Sequence, residues 1–266
     1  MSFAMNGARF HPVGAAGRVV LAACSVVGGM SVLQMRILAA MFPPDFDYDE
    51  TLRQLDKVGV RSVGVVIATA LLTGAIMVIQ SGAFVERTGA TSLVGWAAGT
   101  AVLAEVGPIL IGLMFSGRVG ANNTAELGAM VISDQVKALR VLGMDPIRYL
   151  AVPRFVSMIV MLVLLTCLGD LFALVGGAVT CEVLLQIDMR VFWQSVFESH
   201  LLDFFLMGLV KGFAFGGAIS IVSCHYGLTV TGGAEGVGRA VNNSVVTSAI
   251  AIFVVNFVVS ALWGEA

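Results

Sequence analysis

Charged side chains are scarce in this sequence of 266 residues, in which Asp, Glu, Lys and Arg together make up only 12%. Soluble domains usually carry about 25% charged residues, so an ordinary water-soluble fold is excluded. Hydrophobic residues reach 58%, and stretches of about twenty residues contain one ionisable group or none, which is the length that a helix needs to cross a bilayer. The sequence therefore predicts an all-α integral membrane protein.

Further absences limit the chemistry that the chain could carry. The four cysteines form no C-x-x-C pair and the three histidines show no metal-ligand or catalytic spacing, so no metal site, disulfide framework or catalytic set is predicted. The formal net charge of −2 does not indicate a nucleic-acid-binding protein. The phosphate-binding loop G-x-x-x-x-G-K-[ST] is absent, so any ATP hydrolysis must occur on a partner chain, and no cofactor is expected in this one.

The apolar residues form five segments long enough to span a membrane, at about residues 62–84, 92–116, 155–185, 201–226 and 245–263. Residues 13–42 are also apolar, but Arg18 and Arg36 interrupt them, so we expect an amino-terminal helix that lies in the membrane interface. The sequence thus predicts a cytoplasmic or interfacial segment over 1–61 and a transmembrane domain over 62–266.

The positions of Lys and Arg predict the orientation of the five spans, because these residues collect in cytoplasmic loops. Twelve of the 15 lie before the first span, between the second and third, or between the fourth and fifth. The other two connections hold only Arg87 and Arg190, and Lys211 lies inside a span. We therefore expect a cytoplasmic amino terminus and a carboxyl terminus on the opposite side. Neither half of the chain repeats the other, so a second copy would have to supply the symmetry that many transporters contain within one chain.

The cytoplasmic connection 117–154 is predicted to contain an amphipathic helix over residues 124–142. Asn123 can cap this helix, with Glu126 reaching back to it. Apolar residues then recur at helical spacing, and Gly143 is placed to end the helix. Such a helix could rest on its own bundle as a surface element, or it could dock a soluble partner and transmit force to the spans.

Four ionisable residues lie inside predicted spans, where each charge costs about 2.5–3.5 kcal/mol on insertion scales and should face protein or water. They are Glu105, Asp170, Glu182 and Lys211. Glu105 precedes Gly107-Pro108, where proline can bend the helix and open space beside the carboxylate. It could either hydrogen-bond a neighbouring helix or provide a polar contact in a binding pocket. Asp170 and Lys211 could form an interhelical ion pair, whereas Glu182 lies close enough to the end of the third span to be solvated.

Glycines recur at every fourth position in two spans, Gly95 with Gly99 and Gly208 with Gly212 and Gly216. Small residues at this spacing let membrane helices approach closely. The spacing is typical of helix packing inside one subunit, and a dimer interface is the alternative.

A block of motifs in the central part of the chain is similar to one known family. The motifs are Glu105-Val106-Gly107-Pro108, Gly117-Arg118-Val119-Gly120, Ala125-Glu126-Leu127-Gly128-Ala129-Met130, Asp134-Gln135, Ala138-Leu139, Gly143-Met144-Asp145-Pro146 and Val152-Pro153-Arg154, with a weaker match over 232–240. In order and spacing they resemble the MlaE/YrbE-type permeases, the membrane subunits of ABC transporters that work with MCE proteins to move lipids. Two positions depart from the family pattern: Ala104 stands where many relatives carry Arg, and Lys137 stands where many carry Asp.

This resemblance implies the permease subunit of an ABC transporter in a bacterial inner membrane, which moves phospholipid or a similar lipid between that membrane and an MCE partner. The implied partners are a second copy of the chain, a cytoplasmic ABC ATPase, a periplasmic MCE-domain protein and a small STAS-type cytoplasmic subunit. The carboxyl terminus would then be periplasmic. The substrate-binding residues would be Glu105, Gly107 and Pro108. The residues that would engage the ATPase lie on the predicted coupling helix and are Glu126, Met130, Asp134, Gln135, Leu139 and Arg140.

Two other function classes remain open on sequence grounds. An ion-coupled carrier or channel could use Glu105, Asp170 and Lys211 as a relay, and it would need no ATPase. An intramembrane enzyme such as a lipid acyltransferase would need a paired nucleophile and base at the membrane face, which the small number of histidines disfavours.

Overall fold

The protein is described by a computed structural model over residues 12–41, 48–88, 93–198 and 201–264. The α-helices in these ranges are α1 (Pro12–Ala40), α2 (Tyr48–Thr88), α3 (Val94–Ala101), α4 (Gly107–Phe115), α5 (Ala121–Ile132), α6 (Gln135–Val141), α7 (Val152–Leu185), α8 (Met189–Phe197), α9 (Leu201–Leu228) and α10 (Gly233–Gly264). Within the described ranges, five helical segments are long and apolar enough to cross a membrane: Glu50–Gly82, Val94–Ile132, Ile147–Leu185, Leu201–Leu228 and Gly233–Trp263. The predicted all-α class and the five predicted spans are confirmed.

The amino-terminal helix α1 is separate from the five spans, as predicted. Its described apolar part, Cys24–Ala40, is shorter than the roughly twenty residues that a membrane span requires. Leu33 and Ile37 are buried against Phe155 and Ile221, near the beginning of α7 and the end of α9. Helix α1 is therefore packed on one end of the bundle, and its position in the membrane interface stays a prediction.

The first and third spans form a closely packed helix pair, α2 with α7. An added Cβ at Gly74 would lie 1.8 Å from the carbonyl oxygen of Ala173, and one at Gly176 would lie 2.3 Å from that of Leu71. The two backbones can touch because both positions lack a side chain, which is the usual way for helices to associate in lipid. Helix α2 also continues without a break through the predicted border between the amino-terminal segment and the transmembrane domain.

The second span runs as one helical rod through α3, α4 and α5. Two π-helical turns, Val102–Val106 and Ser116–Gly120, join its three α-helical parts. A π-helical turn accommodates one extra residue and so changes the direction in which the following side chains point. The rod continues past its apolar stretch, so the second span and the following connection share one helix.

The structure corrects the helix predicted over 124–142. Because α5 continues the second span, the backbone N–H groups near Asn123 already have partners in the preceding turn, and this residue is buried inside a helix instead of capping one. Helix α5 ends at Ile132, and Asp134 adopts a left-handed conformation with a φ of 57° before α6 begins. The predicted helix is therefore two shorter ones. Gly143 follows α6 with a φ of 78°, so the predicted end is confirmed.

The repeated glycines pack helices of one chain together, as predicted. An added Cβ at Gly208 would lie 2.5 Å from the carbonyl oxygen of Leu103, and one at Gly216 would lie 2.8 Å from the Cα of Ile159. Helix α9 thus lies against both the second and the third span. Large side chains that are fully buried in this central region include Phe115, Met158, Leu162, Leu165, Phe215, Ile219 and Ile252.

Candidate functional site

Glu105 lies in the first π-helical turn of the second span. Pro108 carries no backbone N–H, so it cannot donate to the carbonyl of Ala104 four residues earlier. Gly107 donates its N–H to the carbonyl of Val102, five residues back, which widens the turn. The proline thus frees one main-chain acceptor inside the bundle, one residue before Glu105. Turns of this kind are frequent at functional sites.

Lys211 of α9 binds this free acceptor. Its ammonium group donates to the carbonyl of Ala104 at 2.7 Å and pairs with Oε1 of Glu105, also at 2.7 Å. The lysine side chain is 0% exposed, whereas that of Glu105 is 40% exposed. A lone charge within a membrane span is costly, and the pairing offsets that cost for both residues. The ion pair considered between Asp170 and Lys211 is therefore not formed, because Lys211 pairs with Glu105 instead.

The fifth span completes the contacts around Glu105. Asn256 donates to Oε2 at 2.8 Å, and Ser260 donates to Oε1 at 2.7 Å. Hydrogen bonds to an ionised acceptor are stronger than neutral ones, so these contacts tie α10 to the second span. The sequence analysis missed both residues. The available signal was two polar residues four positions apart, on one helix face of an otherwise apolar span.

Asp170 lies next to this cluster without joining it. The residue is 1% exposed, and neither carboxyl oxygen has a hydrogen-bond partner among the described residues. A Cβ added at Gly107 would lie 2.7 Å from Oδ1 of Asp170, and one added at Gly208 would lie 3.4 Å from Oδ2 of the same residue. The two glycines thus make room for the carboxyl group. Glu182 is exposed near the end of the third span, as predicted.

The cluster around Glu105 provides a polar position on an apolar helix face. Phe253 and Phe257 of α10 are exposed, and with Asn256 and Ser260 they follow the i, i+3, i+4, i+7 spacing of one face. Acyl chains need apolar walls, and a headgroup needs only a few polar contacts. This face can therefore contact a molecule that carries both an apolar tail and a polar group.

A second polar cluster surrounds Glu126 at one end of the bundle. Glu126 forms an ion pair with Lys57 of α2, accepts a hydrogen bond from Asn122 at 2.7 Å, and lies 3.6 Å from Nη2 of Arg154. Arg154 also donates through Nη1 to Oδ1 of Asn123 at 2.8 Å. Glu126, which the family resemblance assigns to ATPase contact, is thus directed toward the chain's own helices.

The other predicted coupling residues are either exposed or packed. Asp134, Gln135 and Arg140 are exposed around the break between α5 and α6. Met130 and Leu139 are half-buried and pack against the core at this end of the bundle. The structure thus places the six predicted residues in one region but leaves only three of them fully accessible to a partner.

Two exposed apolar residues at the end of α6 were not among the predicted coupling residues. Val141 is 87% exposed and Leu142 is 74% exposed. A single continuous helix would have placed both on its packed face. The break at Asp134 changes the helical phase of α6, so these side chains point away from the bundle.

Comparison with known proteins gives a consistent result over most of the chain. The family model described as Permease MlaE matches residues 51–262. A probable ABC transporter permease protein of Synechocystis sp. is 38% identical over 213 residues, which cover 80% of this chain and 81% of that protein. A probable ABC transporter permease protein of Rickettsia conorii is 32% identical over 254 residues, which cover 96% of this chain and 98% of that protein. The chloroplastic protein TRIGALACTOSYLDIACYLGLYCEROL 1 of Arabidopsis thaliana is 33% identical over 80% of this chain and 61% of that protein.

Proposed function

Because the chain belongs to the MlaE permease family, and is thus a multi-pass ABC transporter permease subunit, we propose that it moves phospholipid or a similar lipid. In this proposal the lipid passes between a bacterial inner membrane and a periplasmic MCE-domain protein. Membership of this family implies an ATPase partner, which would bind and hydrolyse the ATP. A small STAS-type cytoplasmic subunit would complete the complex.

The partly exposed carboxylate of Glu105 is the observation that carries the lipid proposal. It is held by Lys211, Asn256 and Ser260, so it keeps a fixed position while remaining accessible. Pro108 supports the site by freeing the carbonyl that Lys211 binds, and Gly107 supports it by leaving space for Asp170. The headgroup would contact Glu105, while the acyl chains would lie along the apolar face of α10.

A second copy of the chain would enclose this site. The fifth span carries large exposed apolar side chains along much of its length. Its residues Asn256 and Ser260 also donate hydrogen bonds to Glu105. A homodimer that packs α10 near α10 of its partner would turn the open face into a cavity between the two copies. It would also supply the twofold symmetry that the single chain lacks.

The ATPase would dock at the end of the bundle that carries α6. There the exposed residues Asp134, Gln135 and Arg140 adjoin the apolar pair Val141 and Leu142. Glu126, Met130 and Leu139 would hold the docking segment on the bundle, so that a push from the ATPase reaches the spans. The distribution of Lys and Arg supports a cytoplasmic position for this end and for the amino terminus, and the carboxyl terminus would then be periplasmic.

The test is ATP-dependent lipid transfer by the reconstituted complex with Glu105→Gln. This change removes the charge but keeps a side chain that Asn256 and Ser260 can bond, so we expect transfer to fall by about tenfold or more. Glu182→Gln is the matched control, since it removes an exposed carboxylate near the end of the third span. Unchanged transfer by Glu105→Gln at equal expression would contradict the role of Glu105.

An ion-coupled carrier would use Glu105, Asp170 and Lys211 without an ATPase. Purification of the native complex separates the two functions directly. The proposal requires a nucleotide-binding subunit to accompany the permease, whereas a carrier would be active without one.

A further inference from the structure

A polar pocket of about 190 Å³ opens at the end of the bundle that carries the Glu126 cluster. It lies between α2, the end of the second span and the start of α7. Its walls combine charged and amide side chains with the apolar side chains of Val58 and Met158. The polar lining residues are Gln54, Lys57, Ser62, Arg118, Asn122, Asn123, Glu126 and Arg154. The pocket is separate from the Glu105 cluster, which lies deeper in the second span.

Positive charge exceeds negative charge in this lining. Lys57, Arg118 and Arg154 face the single carboxylate of Glu126 among the described lining residues. Lys57 and Arg154 both share that carboxylate, while no hydrogen bond or ion pair joins the side chain of Arg118 to another described residue. The pocket therefore holds an excess of two positive charges in a recess that is partly shielded from water.

The cations differ in burial in a way that suits an anionic ligand. Arg154 has a side chain that is 5% exposed, and its guanidinium group is fixed by Asn123 and Glu126. Arg118 and Asn122 are exposed and can reach a ligand from the mouth. Guanidinium groups match the geometry of phosphate oxygens and bind them through paired hydrogen bonds. Amide groups such as that of Asn122 can add further donors.

We propose that this pocket binds the phosphate group of an anionic lipid headgroup at the cytoplasmic leaflet. The volume accommodates a phosphate group but not a whole lipid, so the acyl chains would remain outside, along the bundle. The inference rests on the proposed function only in placing this end of the bundle at the cytoplasmic leaflet. Binding is measured without ATPase or transport, so its failure would leave the Glu105 proposal intact.

The test measures binding of dioctanoyl phosphatidylglycerol to the purified full-length chain in detergent by calorimetry. We expect Arg118→Gln to weaken binding by about tenfold, because it removes a charged donor to the phosphate. Glu126→Gln should strengthen binding, since it removes the only carboxylate among the described lining residues. Arg140→Gln is the matched control, because Arg140 is exposed at the same end but does not line the pocket. Repeating the series in a Glu105→Ala background isolates this pocket from the site within the membrane.

Dioctanoylglycerol, which has the same acyl chains and no phosphate, should show no difference between wild type and Arg118→Gln. Displacement of the lipid by an equal concentration of inorganic phosphate would support the phosphate site and identify free phosphate as a sufficient ligand. The absence of such displacement would support the lipid headgroup as the ligand. The proposal is overturned if Arg118→Gln binds like wild type, or if Arg140→Gln weakens binding equally. It is also overturned if Glu126→Gln, with an unchanged melting temperature, weakens binding.

Discussion

Glu105 and Glu126 stand in the same helical rod and are held by similar partners, but their charge surroundings differ. Each accepts a hydrogen bond from an asparagine amide and pairs with a lysine on another helix. Around Glu105 one cation pairs with one carboxylate inside an apolar span, next to the buried carboxyl group of Asp170. Around Glu126 the cations outnumber the carboxylate. An excess charge is tolerable only where water or a ligand can reach it, so the first cluster suits a polar anchor within a membrane and the second suits an anion.

The largest expected effect is on ATPase binding, which distinguishes the end of the bundle that carries α6 from the Glu105 cluster. Val141→Asp places a charge in the proposed apolar docking surface and should abolish co-purification of the ATPase. Glu105→Gln should leave the ATPase bound while it impairs lipid transfer. Val183→Asp is the matched control, because Val183 is 69% exposed near the opposite end of the bundle. Retention of the ATPase by Val141→Asp would show that docking occurs elsewhere.

The next effect tests whether charge balance stabilises the cluster around Glu105. Lys211→Met keeps the length of the side chain but leaves Glu105 and the carbonyl of Ala104 without their cation. We expect a loss of about 3 kcal/mol, at the low end for a broken buried pair because Glu105 is partly exposed. Thermal unfolding in detergent would measure it. The double variant Lys211→Met with Glu105→Gln should lose less than the sum of the single variants, and strict additivity would mean that the pair is not coupled.

The smallest expected effect is a loss of stability in the Glu126 cluster. Arg154→Met removes the donor to Asn123, but Glu126 keeps Lys57 and Asn122 as partners. We therefore expect a loss of about 2 kcal/mol, set mainly by the unsatisfied amide oxygen of Asn123. Arg118→Gln, at an exposed position, should change stability by no more than about 0.5 kcal/mol. A larger loss for Arg154→Met than for Lys211→Met would reverse the comparison between the two clusters.

The sequence predicted those parts of the fold that depend on chain composition over long stretches. Five apolar segments, the separate amino-terminal helix and the end of α6 just before Gly143 all follow from local pattern. The helix break at Asp134 did not follow, because a left-handed aspartate between two helix-forming segments has no strong local signal. The prediction of a helix cap at Asn123 was wrong because a strong local signal was misleading there. Its motif fits a helix start, but the helix of the second span simply continues through it.

The site was predictable only in part for a related reason. Glu105, Gly107 and Pro108 could be found as an ionisable residue beside a helix-bending pair. The pairing of Lys211 with Glu105 could not be predicted, because the relative depth and rotation of two helices decide which carboxylate the lysine contacts. Asn256 and Ser260 are far from Glu105 along the chain, and nothing in their own segment indicates which helix they face.

The sequence by itself determined that this chain carries five segments long and apolar enough to cross a membrane, and that a proline lies close to a glutamate inside one of them. Those properties follow from hydropathy and from the order of residues within one segment. Only the tertiary structure decided that Lys211 pairs with Glu105, that Asp170 has no partner among the described residues, and that Glu126 turns inward. Charge pairs in a helical bundle depend on how the helices are rotated against one another, and close packing across the whole bundle sets those rotations.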